Sequence, residues 1–211
     1  PYAGGAKDED AFGKAFGKTV ADIDTSFTAF VNERYGALAA AMTAPAPSAG
    51  RGGPPSIDTL TELATKQPGS FMAQWSLGAA LLEAGQLDGA RAALQRAAEL
   101  APMAQGDTSP RALLARIAEQ QGDTARARAE LRQLLTWDHD NVEAARKLAT
   151  LARGVDADAE EFALRVVADI DPFDASAHAA LGQRAMARKD FAAALVELQA
   201  ALALGPANPA E

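Results

Sequence analysis

Cysteine is absent from the 211 residues, which excludes a disulfide framework, a thiolate metal site and a cysteine nucleophile. It leaves the redox compartment open, because many proteins of oxidising compartments also lack it. Histidine is nearly absent: His139 and His178 stand alone, neither with a second ligand at metal-binding spacing, so no zinc and no cofactor are expected. No apolar run approaches the roughly 18 residues that span a bilayer, and membrane insertion is not expected. Basic residues are outnumbered, 20 against 28 acidic, for a formal charge of -8. Nucleic-acid affinity rests on clustered Lys and Arg that release counterions, so nucleic acid is excluded as the expected partner. The chain opens on Pro1 without an initiator Met or a signal-like region, which predicts a piece of a longer protein.

What the chain has is a period. From Phe71 onward, Leu77-Gly78, Leu81, Gly85, Ala90, Leu94, Ala97 and Pro102 fall at offsets that recur from Ala175 as Leu181-Gly182, Ala185, Lys189, Ala194, Leu198, Ala201 and Pro206. A unit from Thr108 carries Leu114-Ala115, Ala118, Gly122, Ala127, Leu131 and Leu134, with His139 in place of proline. Another, from Asn141, keeps Leu148-Ala149, Leu151-Ala152, Phe162, Val166 and Pro172, slips by about one residue and lacks the small turn residue. Leu60, Leu63 and Pro68 form the second half of a preceding unit. The expected divisions are a half repeat over 57–70 and units over 71–104, 108–141, 141–174 and 175–208.

Each unit reads as two amphipathic helices, with apolar residues three and four apart and Glu, Gln, Arg and Lys between them. Gly78 and Gly182 lie inside helices, where glycine costs about 0.5–1 kcal/mol relative to alanine. Close packing against a partner helix is expected to offset that loss. Ser109-Pro110 predicts a cap followed by proline at the first helical position. Asp88, Asp123 and Asp190 are expected to cap the second helix of their units, and the run Asp156, Asp158, Glu160 and Glu161 reads as a solvated turn.

This pattern resembles the tetratricopeptide repeat, whose signature of Leu-Gly, Ala, an aromatic or Leu, and Pro spans about 34 residues. The resemblance covers residues 57 to 208. Gln74 and His178 stand where the family often has Trp, and Gln105 to Asp107 are three extra residues in one turn. It implies an all-α superhelix, right-handed, in which the first helix of each unit lines a concave groove. It also implies that Trp75, Ala79, Leu82 and Glu83 face that groove from the first full unit, Arg116, Glu119 and Gln120 from the second, Arg153 from the degenerate one, and Gln183 and Met186 from the last. The carboxylate-clamp members of the family use Lys and Asn where Trp75 and Ala79 stand, so a chaperone-tail ligand is disfavoured. A peptide segment or partner protein is the expected ligand, with Trp75 as its apolar anchor and Arg116 and Arg153 attracting acidic groups.

Residues 44–56 hold four Pro and three Gly in thirteen positions and read as a linker. Before it, Tyr2, Phe12, Phe16, Phe27, Phe30 and Tyr35 are six of the chain's twelve aromatics. A short helix ending at Gly17 precedes a longer one from Thr19, where Thr19 to Asp22 makes a capping box. Val20, Ile23, Phe27, Phe30, Val31 and Leu38 trace one face of that helix. Forty residues are too few for an independent core, so this face should meet the repeats, a second copy through self-association, or, as favoured, an absent upstream domain. Ala11 to Thr19 with Phe27 to Phe30 resembles the closing helices of bacterial zinc-peptidase-like domains of the gluzincin type, without their His-Glu-x-x-His helix. That resemblance implies an alternative function, the non-catalytic C-terminal region of a larger hydrolase, and favours a periplasmic or secreted setting over a cytoplasmic one, which the residues leave open.

No catalytic residue is expected in the chain. Gly17-Lys18-Thr19 lacks the earlier glycine of a phosphate-binding loop, since Phe12 stands there, and no Gly-x-Ser-x-Gly elbow occurs.

Overall fold

The computed structural model of the chain describes residues 13–43 and 55–205. Tyr2, Phe12, nearly all of the 44–56 linker, Pro206 and the end of the last unit lie outside them. Among the described residues the regular structure is entirely helical. It runs α1 (Val20–Thr43), α2 (Ile57–Lys66), α3 (Phe71–Glu83), α4 (Leu87–Leu100), α5 (Pro110–Gln120), α6 (Thr124–Leu135), α7 (Val142–Ala152), α8 (Ala157–Ile170), α9 (Ala175–Ala187) and α10 (Phe191–Leu204). The helices pair as α3·α4, α5·α6, α7·α8 and α9·α10, and successive pairs meet through α4·α5, α6·α7 and α8·α9. This is an α–α solenoid. Its interior is made mostly of Leu and Ala: Leu81, Ala90, Leu94, Leu113 and Leu114, with Ile117, between the first pairs, and Leu134, Leu135, Ala145, Leu148, Leu164 and Leu181 further on. Neither set could be buried by one hairpin alone, so stacking supplies the core.

Turn chemistry sets the hairpins. Gly85 and Gly122 sit at φ +73°, the left-handed region that ends a helix cheaply only with glycine. In the last pair Lys189 holds the same place at φ 63°, the one non-glycine residue with positive φ among those described. The degenerate unit does have its small turn residue, contrary to the sequence reading: Gly154, at φ +74°. It escapes the repeat ruler because α7 stops at Ala152, so the glycine comes six residues after Leu148 and not eight as after Leu77.

The capping expectations divide. Ser109 accepts from the Ala112 amide with Pro110 at the first helical position, Asp123 caps α6 and Asp190 caps α10. Asp88 does not cap. Helix α4 starts at Leu87 behind Gln86, whose side chain makes no capping bond, and Asp88 lies in the first turn, 3.4 Å from Arg91. Gln86 has φ -85° and ψ 69°, close to the -82° and 74° of Asp123, so a carboxylate there would find the same free amides. Gln86→Asp is therefore expected to raise stability by about 0.5–1 kcal/mol. Urea denaturation followed by circular dichroism measures it, and an unchanged midpoint would refute it.

The acidic run is likewise not a solvated turn. Asp156 caps α8 by accepting from the Ala159 amide, Glu160 is buried and takes Arg184 of α9 at 2.9 Å, and Glu161 pairs with Arg165 and Arg188. These carboxylates tie α8 to α9.

The three extra residues of the α4–α5 turn are equally engaged. The Gly106 amide donates to Asp138 Oδ2 at 2.8 Å, Gln105 donates to the Trp137 carbonyl, and Asn141 donates to both Asp107 and Asp138. The insertion fastens one inter-unit turn to the next. Gln74 uses its family-atypical side chain in the same spirit, donating from Nε2 to the Ala64 carbonyl at 3.1 Å and joining α3 to α2.

His178 replaces a bulky packing residue by bonding across the last hairpin. Its Nδ1 lies 2.7 Å from Glu197 Oε2 and its Nε2 lies 3.2 Å from the Pro172 carbonyl. The bond to Glu197 holds the imidazole pKa above its ordinary 6.5, against the opposing effect of burial and with help from the Pro172 carbonyl. A folded pKa above the unfolded one gives stability that is complete below the unfolded value and disappears as pH rises through the folded value. The α9–α10 hairpin should thus weaken as pH rises past the ordinary histidine range, and His178→Gln should flatten that slope. Thermal melts across this range decide it; equal slopes in both proteins would exclude the pair as the cause.

Candidate functional site

The capping box forms in full at the start of α1: Thr19 donates its amide to Asp22 Oδ2 at 3.2 Å, and the Asp22 amide donates to Thr19 Oγ1 at 3.1 Å. From there α1 runs toward the repeats and meets them only at its far end. Ala41 is buried with Phe71, Ala97 and Ala101, and Leu38 packs beside them. Of the three partners considered for this helix, the repeats are the one its last turns contact.

That contact creates the first concavity. An apolar pocket of about 430 Å³ lies between the end of α1, the start of α3 and the α4–α5 turn. Trp75 forms one wall, its indole Nε1 donating to the Thr108 carbonyl at 2.8 Å. Met42, Met72 and Met103, three of the chain's four methionines, line the rest with Leu38 and Phe71. Methionine is unbranched and polarisable, so such a wall adapts to the shape it meets.

The second concavity, of about 700 Å³, opens between α5 and α7 above Leu131 and Leu134 of α6. Arg116 and Glu119 project from α5; Glu143, Arg146, Lys147, Thr150 and Leu151 face them from α7. Most of the charge is already committed. Lys147 pairs with Glu119 at 3.3 Å, and Arg146 reaches out of the cleft to Asp174 at 2.9 Å and Asp171 at 3.5 Å. Arg146 is one of the groups that lower the Asp174 pKa: burial pushes that carboxyl upward, and bonds from Ser176 and the Ala177 amide with the Arg146 charge outweigh it. Arg116 is exposed and has no ion pair or hydrogen bond among the described residues.

The sequence-derived groove residues are thus distributed over several places. Arg116 and Glu119 share the α5–α7 cleft, whereas Trp75 belongs to the methionine-lined pocket. Ala79 is half-buried against the core, and Leu82 is inside it at 7% exposure, so Leu82 cannot present itself to a ligand. Glu83 and Gln120 are the exposed last residues of α3 and α5. Arg153 follows the end of α7 and is not part of the cleft lining, while Gln183 and Met186 are exposed on α9. Sequence reasoning missed Thr150, although it stands two residues after Leu148 as Arg116 does after Leu114, and this shared offset was the available signal.

Among the described residues no helix is long and apolar enough to cross a membrane, and no cluster of His, Cys, Asp and Glu could hold a metal ion. Models of the tetratricopeptide repeat match residues 56–104 and 81–153. Both begin at or after residue 56, and neither bears on the peptidase-like reading of the N-terminal segment. No curated protein matches the sequence. Similar solved structures include MamA, at 15% identity over 70% of this chain and 85% of that one with a TM-score of 0.46. They also include YrrB, described as a TPR protein with an unusual peptide-binding site, at 16% identity over 72% and 77% with a TM-score of 0.47. A MamA from Desulfovibrio magneticus RS-1 is 18% identical over 72% and 85%, with a TM-score of 0.43. The helical pairs over residues 56–153 are thus similar to tetratricopeptide repeats.

Proposed function

We propose that the α5–α7 cleft receives an extended peptide segment of a partner protein and that Arg116 pairs with an acidic group on it. The observation that carries this reading is the state of the cations lining the cleft: Lys147 and Arg146 are neutralised by carboxylates of this chain, and Arg116 is not. Half-buried Ala112 and Leu151 offer apolar surface to the side chains beside that group. The pocket at Trp75 is a second subsite, taking a bulky apolar residue, with Glu83, Gln120, Gln183 and Met186 at the rim of the wider surface and Arg153 beyond the end of α7. Repeats of this kind are generally non-catalytic scaffolds, and this role needs no reaction centre.

Fluorescence anisotropy with labelled peptides that carry one Asp or Glu among apolar residues tests the reading. Arg116→Glu should weaken binding roughly tenfold or more, as expected when a charged hydrogen bond becomes a repulsion. Trp75→Ala should weaken those peptides that also carry an aromatic residue. Equal affinity of Arg116→Glu and wild type, or no saturable binding by any peptide, would discard the cleft as the site.

A further inference from the structure

We propose that the segment received by the α5–α7 cleft carries two neighbouring residues of opposite charge, an acidic one held by Arg116 and a basic one held by Glu143. The inference rests on the peptide reading of that cleft and names the chemistry of its ligand. It comes from which charges of the lining are already satisfied. Asp107 accepts from Asn141 Nδ2 at 3.2 Å, Glu119 pairs with Lys147 at 3.3 Å, and Arg146 is held by Asp174 at 2.9 Å. Two charged side chains of the lining are left, Arg116 on α5 and Glu143 on α7. Both are exposed, and neither has an ion pair or a side-chain hydrogen bond among the described residues.

The start of α7 does not occupy Glu143. Asn141 caps that helix by accepting from the Ala144 amide, so the carboxylate of Glu143 is not needed there. An acidic residue in the first turn gains from the helix dipole, but it gains as much on any face of the turn. This one lines the cleft.

The two charges stand level with each other. Helices α5 and α7 run parallel, since each is joined to α6 by a short turn and packs against it. The Glu119–Lys147 pair is a rung between them. Arg116 lies three residues before Glu119 and Glu143 four before Lys147, one turn back on each helix. The next rung therefore has the reverse polarity, cation on α5 and anion on α7, and its two members do not pair with each other. A ligand lying along the cleft would meet one of them on each side. Successive side chains of an extended chain point to opposite sides, so the acidic and basic groups belong to adjacent residues. Residues two apart would send both groups to one wall, and acidic residues alone would set negative charge against Glu143, which costs affinity.

Fluorescence anisotropy tests the proposal with three labelled peptides that share one apolar sequence. One carries Asp-Lys, one Asp-Gln, and one Asp and Lys separated by a single residue. Wild type should bind Asp-Lys about two- to fivefold more tightly than either of the others, the worth of one exposed ion pair. Glu143→Gln should erase the difference between Asp-Lys and Asp-Gln, and Glu143→Lys should invert it, with helix content by circular dichroism unchanged in both variants. Equal affinity of wild type for Asp-Lys and Asp-Gln overturns the proposal, as does a preference that survives Glu143→Lys. So does a separated peptide that binds as tightly as the adjacent one. In each of these events the peptide reading of the cleft still stands if Arg116→Glu weakens all three peptides, so the two fail separately. No saturable binding by any peptide removes both.

Discussion

Leu148→Ala should remove about 2–5 kcal/mol of stability, the range for emptying a well-packed leucine site. Leu148 has no exposed surface and lies among Leu134, Leu135, Leu164 and Leu181, leucines of α6, α8 and α9 as well as its own helix surroundings. Truncation there leaves a void bordered by three neighbouring helices, none of which can move in without leaving another partner. The position also matters. Helix α7 joins the first two full pairs to the last, and in an array held by nearest-neighbour contacts a weak central unit lets the flanks melt separately. Urea unfolding should therefore show a lower midpoint and a shallower transition than wild type. A loss below about 1 kcal/mol would mean that the surrounding leucines collapse into the space.

Gly78→Ala should be the costlier of two formally equivalent substitutions. Alanine gains about 1 kcal/mol over glycine in helix propensity. Against that, a Cβ at position 78 would stand 2.6 Å from Leu94 Cγ and 3.2 Å from the Leu94 backbone nitrogen. Leu94 has no exposed surface and is held by α5, so the α3–α4 hairpin must open. Overpacking of this sort costs about 1–3 kcal/mol. At Gly182 the same Cβ would stand 2.6 Å from Leu198 Cγ, but Leu198 is 39% exposed and can swing outward. The two melting temperatures, compared with wild type, decide the matter: a larger drop for Gly182→Ala would show that helix backbones, not the leucine side chains, set the limit.

These two glycines also show how far the sequence could be read. Leu77-Gly78 and Leu181-Gly182 were found by spacing alone, and the close approach they were expected to permit is the one present. The architecture was legible for the same reason, since a period of apolar residues survives in every unit. Where offsets vary by one or two residues, the ruler misled. The spacing points to Asp88 where Gln86 holds the cap position, passes over Gly154, and does not show that Arg153 follows the last residue of α7. A helical position does not say whether a neighbour covers it, and Leu82 is covered. The acidic run misled for a different reason: sequence places four carboxylates together but not the arginines of the next helix that neutralise Glu160 and Glu161. The methionine-lined pocket was invisible because its walls come from α1, α3 and the α4–α5 turn, which no local pattern brings together.

The connectivity of the helices carries a kinetic consequence. Each principal contact joins elements no more than three apart along the chain. Refolding therefore requires no encounter between remote segments, and the entropy of closing long loops, which slows sheet proteins, hardly enters. A hairpin can nucleate at any of the four turns, so the barrier to the native state should be low.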